Sequence, residues 1–176
     1  MRGRVRGRVR RAVVTCVGIV ALASSAGCTV PVAGITGVTV TEDGRPVGVL
    51  MVCHDRIDGA TLYEDGAQED RRDTVAAWSR TPPAEGLVTW PLTTGGGGWS
   101  VDDPMPAALE KGRTYSLYGW TSDNSWSTAH VTFTLADLAG LRPGRVRYFA
   151  GDDAPGADRD GLWTASTEEF RTDACP

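Results

Sequence analysis

Between Tyr115 and Leu135 polar and apolar residues alternate along two runs separated by the polar turn Asp123-Asn124-Ser125. Tyr115, Leu117 and Gly119 fall on one face and Ser116, Tyr118 and Trp120 on the other; after the turn, Val131, Phe133 and Leu135 alternate with His130, Thr132 and Thr134. A period of two places successive side chains on opposite faces of an extended strand. The stretch therefore reads as an antiparallel hairpin with one buried and one wet face, and the remaining chain must supply strands to pack against it.

Such partners are written on both sides of it. Val38 and Val40 alternate with Thr39 and Thr41, and Glu42-Asp43-Gly44-Arg45 predicts a tight turn because Asp-Gly supplies the positive φ it needs. Val47 to Cys53 is apolar on both faces, as expected of a strand in the middle of a packed layer. From His54 to Arg72 the chain turns polar and reads as surface loop around a short strand, Gly59 to Tyr63. Val75 to Trp78 fits either a short strand or a helical turn. Leu87 to Leu92 predicts a strand with Val88, Trp90 and Leu92 on one face. Gly95 to Gly98 reads as a flexible connection, Val146 and Tyr148 mark a further strand, and residues 151–161 a loop. With 22 glycines, 10 prolines and few helix-favouring runs, the expected class is all-β, in one domain spanning 36–176.

Two local patterns sharpen that expectation. Leu109-Glu110-Lys111-Gly112-Arg113-Thr114-Tyr115 resembles the tyrosine corner of Greek-key sandwiches, in which the tyrosine hydrogen-bonds back to the preceding crossover. Gly37-Val38-Thr39-Val40 with Asp43-Gly44-Arg45-Pro46 is similar to the opening hairpin of carboxypeptidase-regulatory and transthyretin-like sandwiches. The resemblance implies a single antiparallel, immunoglobulin-like β-sandwich. Leu117 stands where a true immunoglobulin domain has a cysteine, so the likeness is to the wider sandwich class.

The first 27 residues have a different character. Arginines at positions 2, 4, 6, 8, 10 and 11 precede an apolar run from Ala12 to Ala23 and small residues up to Gly27. This basic, apolar, small order predicts a helical signal peptide over 1–27, since the run is shorter than the roughly 20 apolar residues of a spanning helix. Ser25-Ala26-Gly27-Cys28 resembles the lipobox of bacterial lipoproteins, and the chain as a whole resembles those of high-GC Gram-positive bacteria. The resemblance implies cleavage before Cys28, a diacylglycerol and a further acyl chain such as palmitate on that cysteine, and a short tether over 28–35. The domain would then stand on the outer side of the cell membrane, anchored by two or more chains where one alone binds only marginally. The other reading is an ordinary secreted protein with Cys28 as a spare thiol. Arg10-Arg11 leaves Sec and twin-arginine export both open.

Cysteine arithmetic bears on the choice. Cys16 lies in the signal, leaving Cys28, Cys53 and Cys175; with Cys28 acylated, Cys53 and Cys175 are left to pair.

Removing residues 1–27 leaves 12 basic against 22 acidic residues, a net charge of about −10. Such a surface repels phosphate backbones, which excludes nucleic acid as an expected partner. His54-Asp55 with Asp58, and the distant His130, form the one His/Asp grouping, but neighbours on an extended segment face opposite sides. Asp158-Arg159-Asp160-Gly161 matches the core of a calcium loop yet has Gly156 and Thr167 where ligands belong. It reads as an acidic solvated loop, with a weak calcium site including Asp152 and Asp153 as the alternative. There is no Gly-x-Ser-x-Gly nucleophile motif, and Gly95 to Gly98 lacks the ending of a phosphate loop.

The expectation is thus a non-enzymatic structural or binding module without metal or cofactor. Its partners are the membrane through Cys28 and a cell-wall glycan or another envelope protein. Core packing is the main reading for the tryptophans; the alternative is an exposed aromatic platform for sugars, with Tyr118, Trp120 and Trp126 as the candidate ligand-binding residues. A small hydrolase or metal-dependent enzyme using His54 or His130 is the remaining alternative.

Overall fold

The computed structural model describes residues 29–66 and 72–175; the signal segment and Cys28 lie outside them. In chain order the elements are β1 (Val32–Val40), β2 (Pro46–Asp65), β3 (Arg72–Pro91), β4 (Trp99–Asp103), β5 (Thr114–Trp120), β6 (Ser127–Ala129), β7 (Val131–Thr134), α1 (Leu135–Gly140), β8 (Arg145–Phe149), β9 (Leu162–Ser166) and α2 (Thr167–Asp173). The protein is all-β in class, with two short helices. No helix of the described residues is long and apolar enough to cross a membrane.

β1 and β2 form the expected hairpin. Gly44 takes a φ of 78°, its N–H donates to the Thr41 carbonyl at 2.9 Å, and Val40 pairs with Pro46. β1 starts at Val32, so the chain enters the sheet four residues before the expected start of the domain at residue 36.

Two long bent strands govern the topology. The polar interval after Cys53 was expected to be mostly loop, but β2 continues to Asp65. Its pairing with β3 shifts between Val52 and Ile57, where Asp55 adopts a φ of 54°. His54, Asp55 and Arg56 are exposed on that bend, and such irregularities let a strand change direction without ending. Val75 to Trp78 accordingly belongs to a strand, the first half of β3. Before the bend β2 pairs with β1 and the end of β3; after it, with the start of β3 and with β5.

That change of partner closes a ring. β1 pairs with β2, β2 with β5, β5 with β6, and β6 with β1, the last in parallel. The strands thus form one nine-stranded sheet with a closed four-strand core rather than two clearly separate layers. Thr128 seals the junction: its buried hydroxyl lies 2.5 Å from that of Thr36 on β1 and accepts from Gly119 N–H of β5 at 2.7 Å.

The main core includes Leu50, Ile57, Leu62 and Leu117 of the ring strands together with Trp78 and Trp90 of β3 and Phe133 of β7. Tyr115, 2% exposed, accepts from the Glu110 N–H at 2.9 Å, the back-bond that the Leu109 to Tyr115 pattern implied. A second core explains why β2 is apolar on both faces. Leu50 and Val52 face the main core, whereas Val49 and Met51 pack with Val146, Tyr148, Ala165, Phe170 and Ala174 beneath α2.

Leu135 ends its strand early and opens α1, because Thr134 and Asp137 form a reciprocal capping box; Ser166 and Glu169 do the same for α2.

Candidate functional site

The pairing of β2 with β5 assembles the aromatic residues of the wet face. Thr61 stands opposite Tyr118, Tyr63 opposite Ser116 and Gly59 opposite Trp120, and residues opposite one another share a face. Tyr63 and Tyr118 stack with centroids 5.7 Å apart at 13°, their hydroxyls 3.4 Å apart. The Trp120 indole lies over Gly59, where a Cβ would come within 2.4 Å of Cζ2, and its Nε1 donates to Thr61 Oγ1 at 2.8 Å. Glycine is required there by the close approach of the ring.

Polar groups edge this array. Ser116 Oγ donates to Asp65 Oδ2 at 2.7 Å, and Arg72 Nε lies 3.5 Å from Asp65 Oδ1. Burial, and then the hydrogen bond and charge of Tyr63, push the Tyr118 hydroxyl up to about 12. Burial first and the Arg72 charge second hold His130 below the usual histidine range, against a smaller opposing pull from Asp65. The array thus presents phenol and indole rings beside one Asp65–Arg72 pair. It offers ring faces and hydrogen-bond groups.

Comparisons with protein-family models, curated proteins and solved structures find no match to this chain. The site therefore has to be read from its own chemistry.

Of the three aromatic residues singled out in the sequence, Tyr118 and Trp120 are half-buried on the shared face. Trp126 is not with them: it packs against the main core. Tyr63 takes its place, which its position opposite Ser116 makes possible; the sequence reading put Tyr63 on a short strand but did not pair that strand with β5. Cys53 and Cys175 form a disulfide with Cα atoms 5.5 Å apart. Cys28 lies outside the described residues.

The His/Asp grouping is dispersed. His54 and Asp55 are exposed on the β2 bend, and Asp58 instead accepts from Ser122 N–H at 2.7 Å and from its hydroxyl at 3.0 Å, holding the turn after β5. Among the described residues neither histidine hydrogen-bonds a carboxylate, and no three His, Cys, Asp or Glu residues are grouped as a metal would need. Asp158 is occupied as a turn residue. Its Oδ1 accepts from the N–H groups of Asp160 at 3.1 Å and Leu162 at 2.9 Å, and its Oδ2 from Arg147 at 2.9 Å. Burial pushes this carboxyl up, but the bonds from Leu162, Arg147 and Asp160 outweigh it and hold the group below the usual range.

Proposed function

We propose that this protein is an extracytoplasmic binding module held at the cell membrane by lipid on Cys28, without catalytic activity of its own. The observation that carries the reading is the Cys53–Cys175 bridge. Disulfides persist in oxidising compartments outside the cytoplasm, and this one uses both other cysteines of the exported part, leaving Cys28 over for acylation. The order of residues 1–27 supports the same placement. We read residues 36–176 as one domain in which the two halves of bent β2 and β3 act as the layers of an immunoglobulin-like sandwich joined at the bends.

Mass spectrometry of the native protein tests the anchor. The expected species starts at Cys28, carries at least two acyl chains on it and retains the disulfide. Cys28→Ser is expected to move the protein from the membrane pellet to the soluble fraction. A wild-type chain recovered soluble and free of lipid would remove the anchor from this account.

The Tyr63, Tyr118 and Trp120 array favours a glycan as the partner, because sugar rings pack against aromatic faces while their hydroxyls bond to edge groups such as Asp65. Joint replacement of Tyr118 and Trp120 by alanine is expected to lower retention on purified cell-wall polysaccharide roughly tenfold, taking 0.5–1.5 kcal/mol per aromatic contact. Unchanged retention by a folded double variant would point to another envelope protein instead.

A further inference from the structure

Among the described residues two large hydrophobic side chains are exposed, Val32 at 54% and Trp163 at 37%. They line adjoining cavities. One, of about 300 Å³, lies between the end of α2, the loop after β8 and Trp163; the other, of about 450 Å³, runs along the start of β1 past Val32, Ala33 and Phe149 to the disulfide. Ile35 and Ala150 belong to both walls, so the two form one cleft. Its long arm is mostly apolar, with His54 the one titratable side chain in its wall, and its short arm includes the Asp173 carboxylate.

The short arm is built by the fold. Tyr148 and Trp163 are register partners on β8 and β9 and share a face. Tyr148 is buried, and its hydroxyl donates to Asp173 Oδ2 at 2.8 Å. That bond fixes the carboxylate at the last turn of α2, and Cys175, two residues on, is held by Cys53. No Lys, Arg or His nitrogen of the described residues lies within 4.0 Å of Asp173; the nearby Arg171 pairs with Glu168. An indole wall beside a carboxylate that lacks a counter-ion, next to an acidic loop, selects a cation of low hydration. An anion would meet Asp173 unscreened.

We infer that this cleft binds an organic ammonium group in the arm formed by Tyr148, Trp163 and Asp173, with an attached apolar chain lying along Val32, Ile35 and Phe149. The ammonium is attracted by the indole face and the carboxylate, and the chain covers surface that is otherwise left in water. This site is separate from the aromatic face of β2 and β5 and does not depend on Cys28 being acylated.

The full chain carrying Cys28→Ser, which avoids detergent, is titrated with choline, with its neutral isostere 3,3-dimethyl-1-butanol and with hexyltrimethylammonium, followed by NMR shifts and tryptophan fluorescence. Choline is expected to bind saturably, the isostere at least fivefold more weakly, and hexyltrimethylammonium at least tenfold more tightly, since each fully buried methylene adds up to about fourfold. Asp173→Asn and Trp163→Ala should each weaken choline about threefold to fivefold, as expected of a partly exposed cation site. Asp173→Asn keeps an oxygen that can accept from the Tyr148 hydroxyl and removes the charge, whereas Tyr148→Phe removes the hydrogen bond and keeps the charge, so the latter should retain affinity within about twofold. Equal binding of choline and its isostere, equal losses from Asp173→Asn and Tyr148→Phe, or no saturation would each overturn the inference. Co-sedimentation with phosphatidylcholine vesicles that free choline reverses would identify a lipid headgroup as the source; saturable choline binding without co-sedimentation would identify a soluble solute.

Discussion

Replacing Trp90 by alanine is expected to destabilise the protein by about 3–5 kcal/mol, the usual range for deleting a buried aromatic from a core. Trp90 is 0% exposed, stacks on Trp99 with centroids 4.4 Å apart, and meets Trp78 edge to face at 6.0 Å. It stands opposite Gly48, where a Cβ would come within 2.5 Å of the ring, so its site is shaped by a missing side chain and has little freedom to collapse. Denaturant unfolding measures the loss. Trp90→Phe separates packing from polarity: the indole Nε1 is buried without an acceptor, so phenylalanine keeps much of the ring and relieves an unpaired donor. Its expected loss is less than half that of alanine. A loss below about 1 kcal/mol for Trp90→Ala would show that the tryptophan cluster does not hold the two ends of the bent strands together.

That cluster shows where the sequence is informative. Alternation identifies Val38, Val40, Val131, Phe133 and the faces of β5, because there one side of the strand is dry and the other wet. The Glu110 to Tyr115 bond follows from a local pattern seven residues long, Leu109 to Tyr115. Topology depends on pairings between distant residues, and here it turns on the bend at His54 to Arg56. These three residues resemble a loop in composition because a bend exposes them, while the ladder resumes beyond. Gly59 to Tyr63 was legible as a short strand, but not as the continuation of the strand before the bend, and this left the pairing of Tyr63 with β5 and the ring closure unseen.

The tail beyond residue 161 drew no assignment from the sequence, for a different reason. Residues 162–173 hold β9 and α2, yet seven helical residues show too little periodicity to stand out. Ser166-Thr167-Glu168-Glu169 is nevertheless a capping-box signature, and Thr134 with Asp137 is its counterpart before α1. Reading those boxes would have ended the strand before Leu135 and placed a helix near Cys175. It would also have supplied the element that covers the second apolar face of Val47 to Cys53.

Opening the Cys53–Cys175 bridge should have the broadest effect on this molecule. The paired residues are 122 apart in sequence, and in the chain-entropy description a loop of that length restricts the unfolded chain enough to stabilise the native one by roughly 4–5 kcal/mol. The native-state consequence is local. α2 is far too short to persist by itself, and it stays in place through Phe170 and Ala174 in the second core, the Tyr148–Asp173 bond and the bridge. The double substitution of Cys53 and Cys175 by alanine should therefore lower global stability by up to that amount in denaturant melts. In hydrogen exchange it should also release α2 and β9 before β5 and β7. Because α2 carries Asp173 to the cleft, the same variant should bind choline more weakly while the Tyr63, Tyr118 and Trp120 face is unchanged. A double variant with wild-type stability, and with α2 amides as protected as those of β5, would mean that packing alone holds the helix on the sheet.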